Sequence, residues 1–304
     1  MPELPDVTVY VEHLRRSVGS ATLERVRLKS PFLLRSVEPP LASVAGRKVL
    51  SIERLGKRIV MGLENDLFLV LHLMIAGRLH FRRAGAAITQ RSNLAAFDFS
   101  TGTLVLTEAG SKRRASLYVV AGTAALAAHQ RGGLEPLECS YAQFKARIGA
   151  ENRTLKRALT SPHLFSGIGN AYSDEILHAA GLSPVTLTSR LDATEIRRLY
   201  RATVKILTHW TNLLRKESAG AFPEKVTAFR PDMAVHGRYR QPCPACGTLV
   251  QRIRYAENEV NYCPRCQTEG RMLADRSLSR LLGNDWPKTI DAWEEEHPTA
   301  GEGG

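Results

Sequence analysis

The chain has 304 residues, enough for two domains and a sizeable buried core. With 43% hydrophobic and 24% charged residues it reads as folded rather than disordered, and no stretch reaches the ~18 consecutive apolar residues of a membrane span. Lys and Arg number 42 against 30 Asp and Glu; the net charge of +12 points to a polyanionic partner, most simply nucleic acid, with general solubility as the plainer alternative.

The opening, Met1-Pro2-Glu3-Leu4-Pro5-Asp6-Val7, has neither the basic start nor the apolar run of a secretory signal, so a cytoplasmic location is expected. Val7, Val11, Leu14 and Val18 recur at helical spacing and predict a helix over 7–18. Beyond it, Lys48–Glu53, Arg58–Met61, Leu67–Leu73 and Thr103–Leu106 read as strands of a sandwich or barrel within residues 1–125. After a linker at 126–139 the pattern turns helical, with helices expected over 141–148, 152–160, 170–181, 193–216 and 273–282. Asp192, with Glu195 three residues on, has the spacing of a capping box. Glu217–Pro242 holds Gly220, Pro223, Pro231 and Gly237 and reads as loop.

The resulting α+β multidomain division is a β-sandwich with a flanking helix (1–125), the linker (126–139), a helical domain (140–235), a cysteine-rich hairpin (236–270) and a C-terminal extension (271–304). The last twenty residues hold six acids against one base, a net of −5, so the rest of the chain carries +17. That tail reads as mobile and solubilising.

Four of the five cysteines fall as Cys243-Pro-Ala-Cys246 and, sixteen residues on, Cys263-Pro-Arg-Cys266. Two Cys-x2-Cys knuckles supply the four thiolates of a closed tetrahedral Zn2+ site, a structural rather than catalytic arrangement. The alternative of two disulfides is disfavoured in a reducing cytosol. Between the knuckles, Thr248–Tyr255 and Glu259–Tyr262 read as strands around a turn at Ala256-Glu257-Asn258, giving a zinc-pinned hairpin. Cys139 stands apart and reads as a small buried residue.

Pro2 is a candidate for chemistry, although a proline at position 2 taken alone is usually an ordinary residue. Methionine is normally removed before proline, which exposes a secondary amine. An α-amine has a pKa of about 7.7–8.0, so part of it is neutral and nucleophilic at physiological pH. Such amines attack carbonyl-like carbons to form Schiff bases, and Glu3 is the adjacent carboxylate for proton transfer.

Four segments, in order along residues 1–267, resemble the formamidopyrimidine-DNA glycosylase/endonuclease VIII family: Met1–Val7; Gly56-Lys57-Arg58; Ser166–Leu177, similar to the family's helix–two-turn–helix signature; and the zinc hairpin with its flanks His236-Gly237-Arg238 and Cys263–Gln267. The resemblance ends near residue 270. It implies a β-sandwich with a flanking helix, a helical helix–two-turn–helix domain and a zinc β-hairpin. It also implies a bifunctional DNA glycosylase/abasic-site lyase of base excision repair, which removes oxidised bases and nicks abasic sites through a Schiff base on the N-terminal proline.

Carried over residue by residue, the resemblance makes Pro2 the nucleophile at C1′, Glu3 the proton donor and shuttle, and Lys57 a phosphate contact beside the lesion. Asn170 opens a helix whose positive N-terminus suits phosphate. Arg113, Arg114, Asn258 and Met74 join the DNA-binding set, Met74 or Ile75 as the wedge that fills the vacated stack. Glu175 matches a positional glutamate or is a plain helix-face carboxylate, and His72 is a groove residue or a structural one. The implied partner is double-stranded damaged DNA, with single strands as an alternative, bound by a nucleoid-associated monomer without a membrane.

The chain departs from the family pattern in three places. An arginine common five residues before the third zinc cysteine is Asn258 here, which cannot supply the charged fork of arginine, so Arg252 or Arg254 would have to compensate. A family Phe in the loop beside the flipped base corresponds to Ala115 of Glu108–Ala115. The long glycine-threonine-rich lesion loop of the 8-oxoguanine branch is replaced by Gly220–Lys225. These departures motivate a second reading, a non-catalytic or structure-specific damaged-DNA-binding protein on the same scaffold.

Overall fold

The computed structural model describes residues 1–110, 112–224, 226–227, 230–255, 258–274, 281, 283 and 286–296. The chain divides into two compact units, Met1–Glu135 with Leu207–Ala228, and Pro136–Ile206 with Phe229–Gly304.

The first unit opens with helix α1 (Leu4–Val18), which starts earlier than the apolar spacing suggests because Glu3 takes the N-cap and Pro5 pre-sets the first turn. Eight strands follow: β1 (Thr22–Leu28), β2 (Arg47–Leu55), β3 (Arg58–Leu63), β4 (Leu67–His72), β5 (Gly77–Arg82), β6 (Asn93–Phe99), β7 (Gly102–Glu108) and β8 (Ser116–Ala121). They form one antiparallel sheet in the order β5-β7-β6-β1-β2-β3-β4-β8. At its middle, β1 and β2 pair only at Thr22–Lys48 and Leu23–Arg47, so the sheet falls into two four-stranded halves.

Leu79, Phe97 and Leu104 from one half and Ile59, Leu69 and Leu117 from the other share a single core with Val7, Tyr10, Leu14 and Val18 of α1. That makes the sandwich with its flanking helix. Each fully buried side chain of this kind contributes about 1.5–3 kcal/mol. The strands missing from the sequence reading have a physical reason for being missed. All seven residues of β6 are buried, so they show no alternation, and β1 carries Arg25 and Arg27, which reach across to Asp98 of β6 at 2.8 and 2.7 Å. A short helix α2 (Thr123–Ala127) follows β8.

In the second unit, α3 (Tyr141–Ile148) has the expected bounds. Helix α4 (Leu155–Thr160) starts later than expected because Thr154 is extended and bridges Leu187. Helix α5 (Asn170–Ala180) ends at Gly181, whose left-handed backbone (φ 59°) suits glycine. Helix α6 (Ala193–Glu217) begins with the capping box read from sequence: Glu195 N–H donates to Asp192 Oδ1 at 2.7 Å and Asp192 N–H to Glu195 Oε2 at 3.1 Å. Its residues from Leu207 onward group with the first unit.

The hairpin consists of β9 (Gln251–Tyr255) and β10 (Asn258–Tyr262), followed by α7 (Pro264–Thr268). Asn258 pairs with Tyr255, so it opens a strand instead of lying in the turn.

The tail needs correction. A helix at Ile290–Glu296 is tied back: Ile290 N–H donates to Gly270 O at 2.8 Å and Met272 N–H to Lys288 O at 2.9 Å. Ile290 and Trp293, three apart and so on one helix face, bury against Met272, which is why this part of an acidic segment is anchored. The helix expected over 273–282 and the last eight residues fall, in the main, outside the described residues. Among the described residues no helix is long and apolar enough to cross a membrane.

Candidate functional site

In the first unit, Pro2 and Glu3 are buried at the start of α1. Glu3 N–H donates to Asp6 Oδ2 at 2.8 Å. Burial lowers the Met1 α-amine pKa; Glu3 and Asp6 oppose that, while Arg78 and Lys57 add to it. Burial likewise pushes the Asp6 carboxyl up to about 7. Its Oδ1 is buried without a hydrogen-bond partner among the described residues. Asp6 also lines a cavity of about 260 Å³ walled by Val9, Leu214, Ser218, Phe222 and Val226. Asp6 and Arg78 were absent from the sequence candidates; the capping-box distance between Glu3 and Asp6 was the available signal.

Lys57 follows Gly56 in the two-residue turn between β2 and β3, where Gly56 has φ 62° and Leu55 pairs with Arg58. The turn between β4 and β5 holds Met74 in the left-handed region (φ 53°), unusual for a non-glycine residue. His72 Nδ1 accepts the Met74 N–H at 3.1 Å. Burial, then Arg58 and Lys57, hold the His72 pKa down at about 4, so its ring is neutral and able to accept. Met74 is half-buried while the neighbouring Ile75 is exposed.

The loop after β7 is built around Glu108. Its buried carboxylate accepts the backbone N–H groups of Arg114 (3.0 Å to each oxygen) and Ala115 (3.0 Å). This leaves Arg113 and Arg114 exposed, with Arg113 Nη2 donating to Arg91 O at 2.5 Å. Ala115, which the resemblance sets against a family Phe, lies in the core. Glu108 is a loop organiser that sequence reasoning did not single out.

In the second unit, Asn170 opens α5, and its side-chain Nδ2 donates to the backbone oxygen of Glu259 on β10 at 2.8 Å. A buried network surrounds it. Lys156 Nζ donates to Asn170 O and Asp174 Oδ1, each at 2.6 Å, while His236 Nδ1 meets Asp174 Oδ2 at 2.8 Å. Glu175 accepts the backbone N–H groups of Ala234, Val235 and His236 at 2.7–2.9 Å. Its role is therefore to hold that backbone, and burial outweighs these bonds in raising its pKa. On β9, Arg252 stacks on Tyr239 (4.1 Å) and bonds Glu259 at 3.1 Å; Arg254, two residues on and on the same face, also points to Glu259. The Asn258 side chain lies outside the described residues. Arg197 sits over the Tyr141 ring, and Arg265 bonds Asp291 at 2.5 Å.

The Sγ atoms of Cys243, Cys246, Cys263 and Cys266 lie within 4.8 Å of one another, with separations of 3.4, 3.5 and 3.9 Å in three pairs. Zn–S bonds of about 2.3 Å place tetrahedral thiolates about 3.8 Å apart, so the four sulfurs fit a Zn2+ ion. His178 Nε2, near the end of α5, is 3.2 Å from Cys243 Sγ, in reach of the thiolate.

Family models match three stretches: "Formamidopyrimidine-DNA glycosylase N-terminal domain" over residues 1–115, "Formamidopyrimidine-DNA glycosylase H2TH domain" over 133–216, and "Zinc finger found in FPG and IleRS" over 240–268. The formamidopyrimidine-DNA glycosylase of Solibacter usitatus is 32% identical over 284 residues, covering 88% of this chain and 99% of that protein. The Thermus thermophilus enzyme is also 32% identical, covering 89% and 100%. The Thermus thermophilus crystal structure superposes with a TM-score of 0.73 over 88% of this chain and 98% of that one. The Lactococcus lactis protein in complex with DNA containing an abasic site, 21% identical, shares the fold with a TM-score of 0.77, covering 88% and 99%.

Proposed function

This chain belongs to the formamidopyrimidine-DNA glycosylase family and is a DNA glycosylase of base excision repair that carries structural zinc; from that premise we propose how its residues divide the reaction. Once Met1 is removed, the Pro2 amine is the nucleophile. The observation that carries this is the buried start of α1, where Pro2 and Glu3 lie side by side out of solvent.

The Pro2 nitrogen attacks C1′ of the damaged nucleotide, the glycosidic bond breaks, and the base leaves with a proton. Glu3 protonates the ring oxygen as the sugar opens to an iminium. That electron sink lets a base take the C2′ proton and expel the 3′ phosphate; a second elimination expels the 5′ phosphate, and water releases Pro2. Extrusion of the nucleotide is what exposes C1′ to attack. Lys57, Arg113 and Arg114 hold phosphates on the first unit, with Met74 as the wedge. On the second unit, Asn170 and the hairpin hold the phosphates around the helix N-terminus.

Zn2+ on Cys243, Cys246, Cys263 and Cys266 fixes the hairpin and takes no part in the chemistry. The substrate is an oxidised base or bare abasic site in double-stranded DNA, met by a monomer in the cytoplasm at the nucleoid, and a lesion panel on single and double strands ranks the alternatives. Incubation of Met-processed protein with abasic duplex and borohydride is expected to trap a covalent complex. No adduct, or equal trapping by protein with a blocked N-terminus, sinks the Pro2 mechanism. Arg252 and Arg254 both turn to Glu259, so their charge is shared with that carboxylate. Tight, salt-sensitive binding without base release would instead mark the second reading.

A further inference from the structure

Residues 218–224, just beyond α6, are anchored at three points within the first unit. His13 Nε2 lies 3.1 Å from Ser218 Oγ. Phe222 packs its ring against Tyr10, His13 and Phe81, with centroids 5.9, 6.0 and 6.1 Å away. Glu224 grips β5: it accepts from Arg82 Nη1 and Nη2 at 2.6 and 2.9 Å, and from His80 Nδ1 at 2.5 Å. His80 is itself braced on Thr107 Oγ1 at 3.0 Å.

These anchors bear on one place. Ser218, Phe222, Glu224 and Val226 wall the 260 Å³ cavity that holds Asp6. Asp6, one of the residues lining that cavity, keeps its buried Oδ1 without a hydrogen-bond partner among the described residues, so the wall carries one polar group left to pair. A planar base edge, with its hydrogen-bonding groups in one plane, supplies a partner. We propose that Glu224 is a specificity-determining latch: through Arg82 and His80 it fixes Phe222 and Ser218 as a rigid wall beside Asp6, and so sets which extruded bases fit.

This inference rests on the reading of the chain as a glycosylase acting through Pro2. A bidentate Arg–carboxylate pair adds geometric definition. Glu224 and Arg82 are side chains 41% and 47% exposed, so their pairing contributes little to folding, and its loss moves the wall without unfolding the unit.

The test compares base release with abasic-site nicking, since an abasic site brings no base to the cavity. Base release is measured on duplexes carrying an oxidised pyrimidine or 8-oxoguanine, with KM and kcat separated. In Glu224→Ala and in Arg82→Ala the ratio of base release to abasic nicking is expected to fall about ten-fold, since a displacement of ~1 Å at a positioned substrate costs up to about 100-fold. The preference between the two lesions is expected to change, and the double exchange Glu224→Arg with Arg82→Glu to regain the ratio. An unchanged ratio in either single variant overturns the latch. So does a parallel fall of both activities, which marks a merely structural contact. Wild-type protein that traps no abasic adduct overturns the glycosylase reading, and the latch with it; normal trapping with an unchanged ratio overturns the latch alone.

Discussion

Each unit contains a pair of buried carboxylates on a helix, and the two pairs are treated in opposite ways. In the second unit, Asp174 and Glu175 are adjacent on α5 and every oxygen has a partner: Lys156 and His236 on Asp174, three backbone N–H groups on Glu175. In the first unit, Glu3 and Asp6 sit at the start of α1, where Asp6 keeps one oxygen unpartnered beside a cavity and its pKa is raised to about 7 by burial. A satisfied buried network rigidifies what it joins; an unsatisfied one costs stability and is kept where chemistry uses it. The same residue types thus serve as scaffold in one unit and, in the proposed function, as the reaction site in the other.

Glu3→Gln tests that contrast most sharply. Loss of a positioned proton donor is expected to lower base release by about 100- to 10,000-fold with little change in melting temperature, as measured by single-turnover kinetics beside a thermal melt. A large fall in melting temperature instead would make Glu3 scaffold. On the other side, Lys156→Met leaves Asp174 facing His236 alone in the interior. Breaking one partner of a buried pair costs about 3–5 kcal/mol, and denaturant unfolding is expected to show it with the chemical step preserved in the remaining folded protein. Glu175→Gln comes next: one amide oxygen replaces two carboxylate oxygens before three N–H donors, and an unsatisfied buried group costs about 1–3 kcal/mol. Zinc removal by a chelator is expected to release the hairpin and weaken DNA binding while circular dichroism of the β-rich unit persists. Loss of both signals together would show that the units do not depend on zinc separately.

How much of this was legible in the sequence follows the distance between the residues that make each feature. The zinc set stands at fixed local spacing around a hairpin, and the sulfurs meet as the spacing implies. The capping box at Asp192 and Glu195 is equally local. Pro2 and Glu3 were visible through family resemblance, because nothing in an isolated Pro-Glu pair shows that it will be buried. Glu175 could not be resolved into positional or solvent-facing, since its donors lie some sixty residues away. Glu224 and its partners on β5 are further apart still. Strand β6 stayed hidden because burial on both faces erases the period of two. The first turns of the acidic tail were misread because charge outweighed the Ile290–Trp293 stripe that docks them.

The last expected effect concerns Asp6, and it turns on sign. Its folded pKa is raised to about 7 by burial from 3.8, so the folded state holds a proton that the unfolded chain has already released. Between pH 4 and pH 7 the folded form therefore binds more protons, and stability contributed by this group falls as pH rises through that window, levelling above it. Asp6→Asn keeps the acceptor for Glu3 N–H, and its amide stays neutral at every pH. The variant is expected to show a flatter melting-temperature profile between pH 5 and pH 8, with the wild type losing ground toward the alkaline end. Identical slopes in the two proteins would mean that Asp6 titrates as an ordinary exposed carboxyl. The contrast with the fully satisfied pair on α5 would then rest on geometry alone.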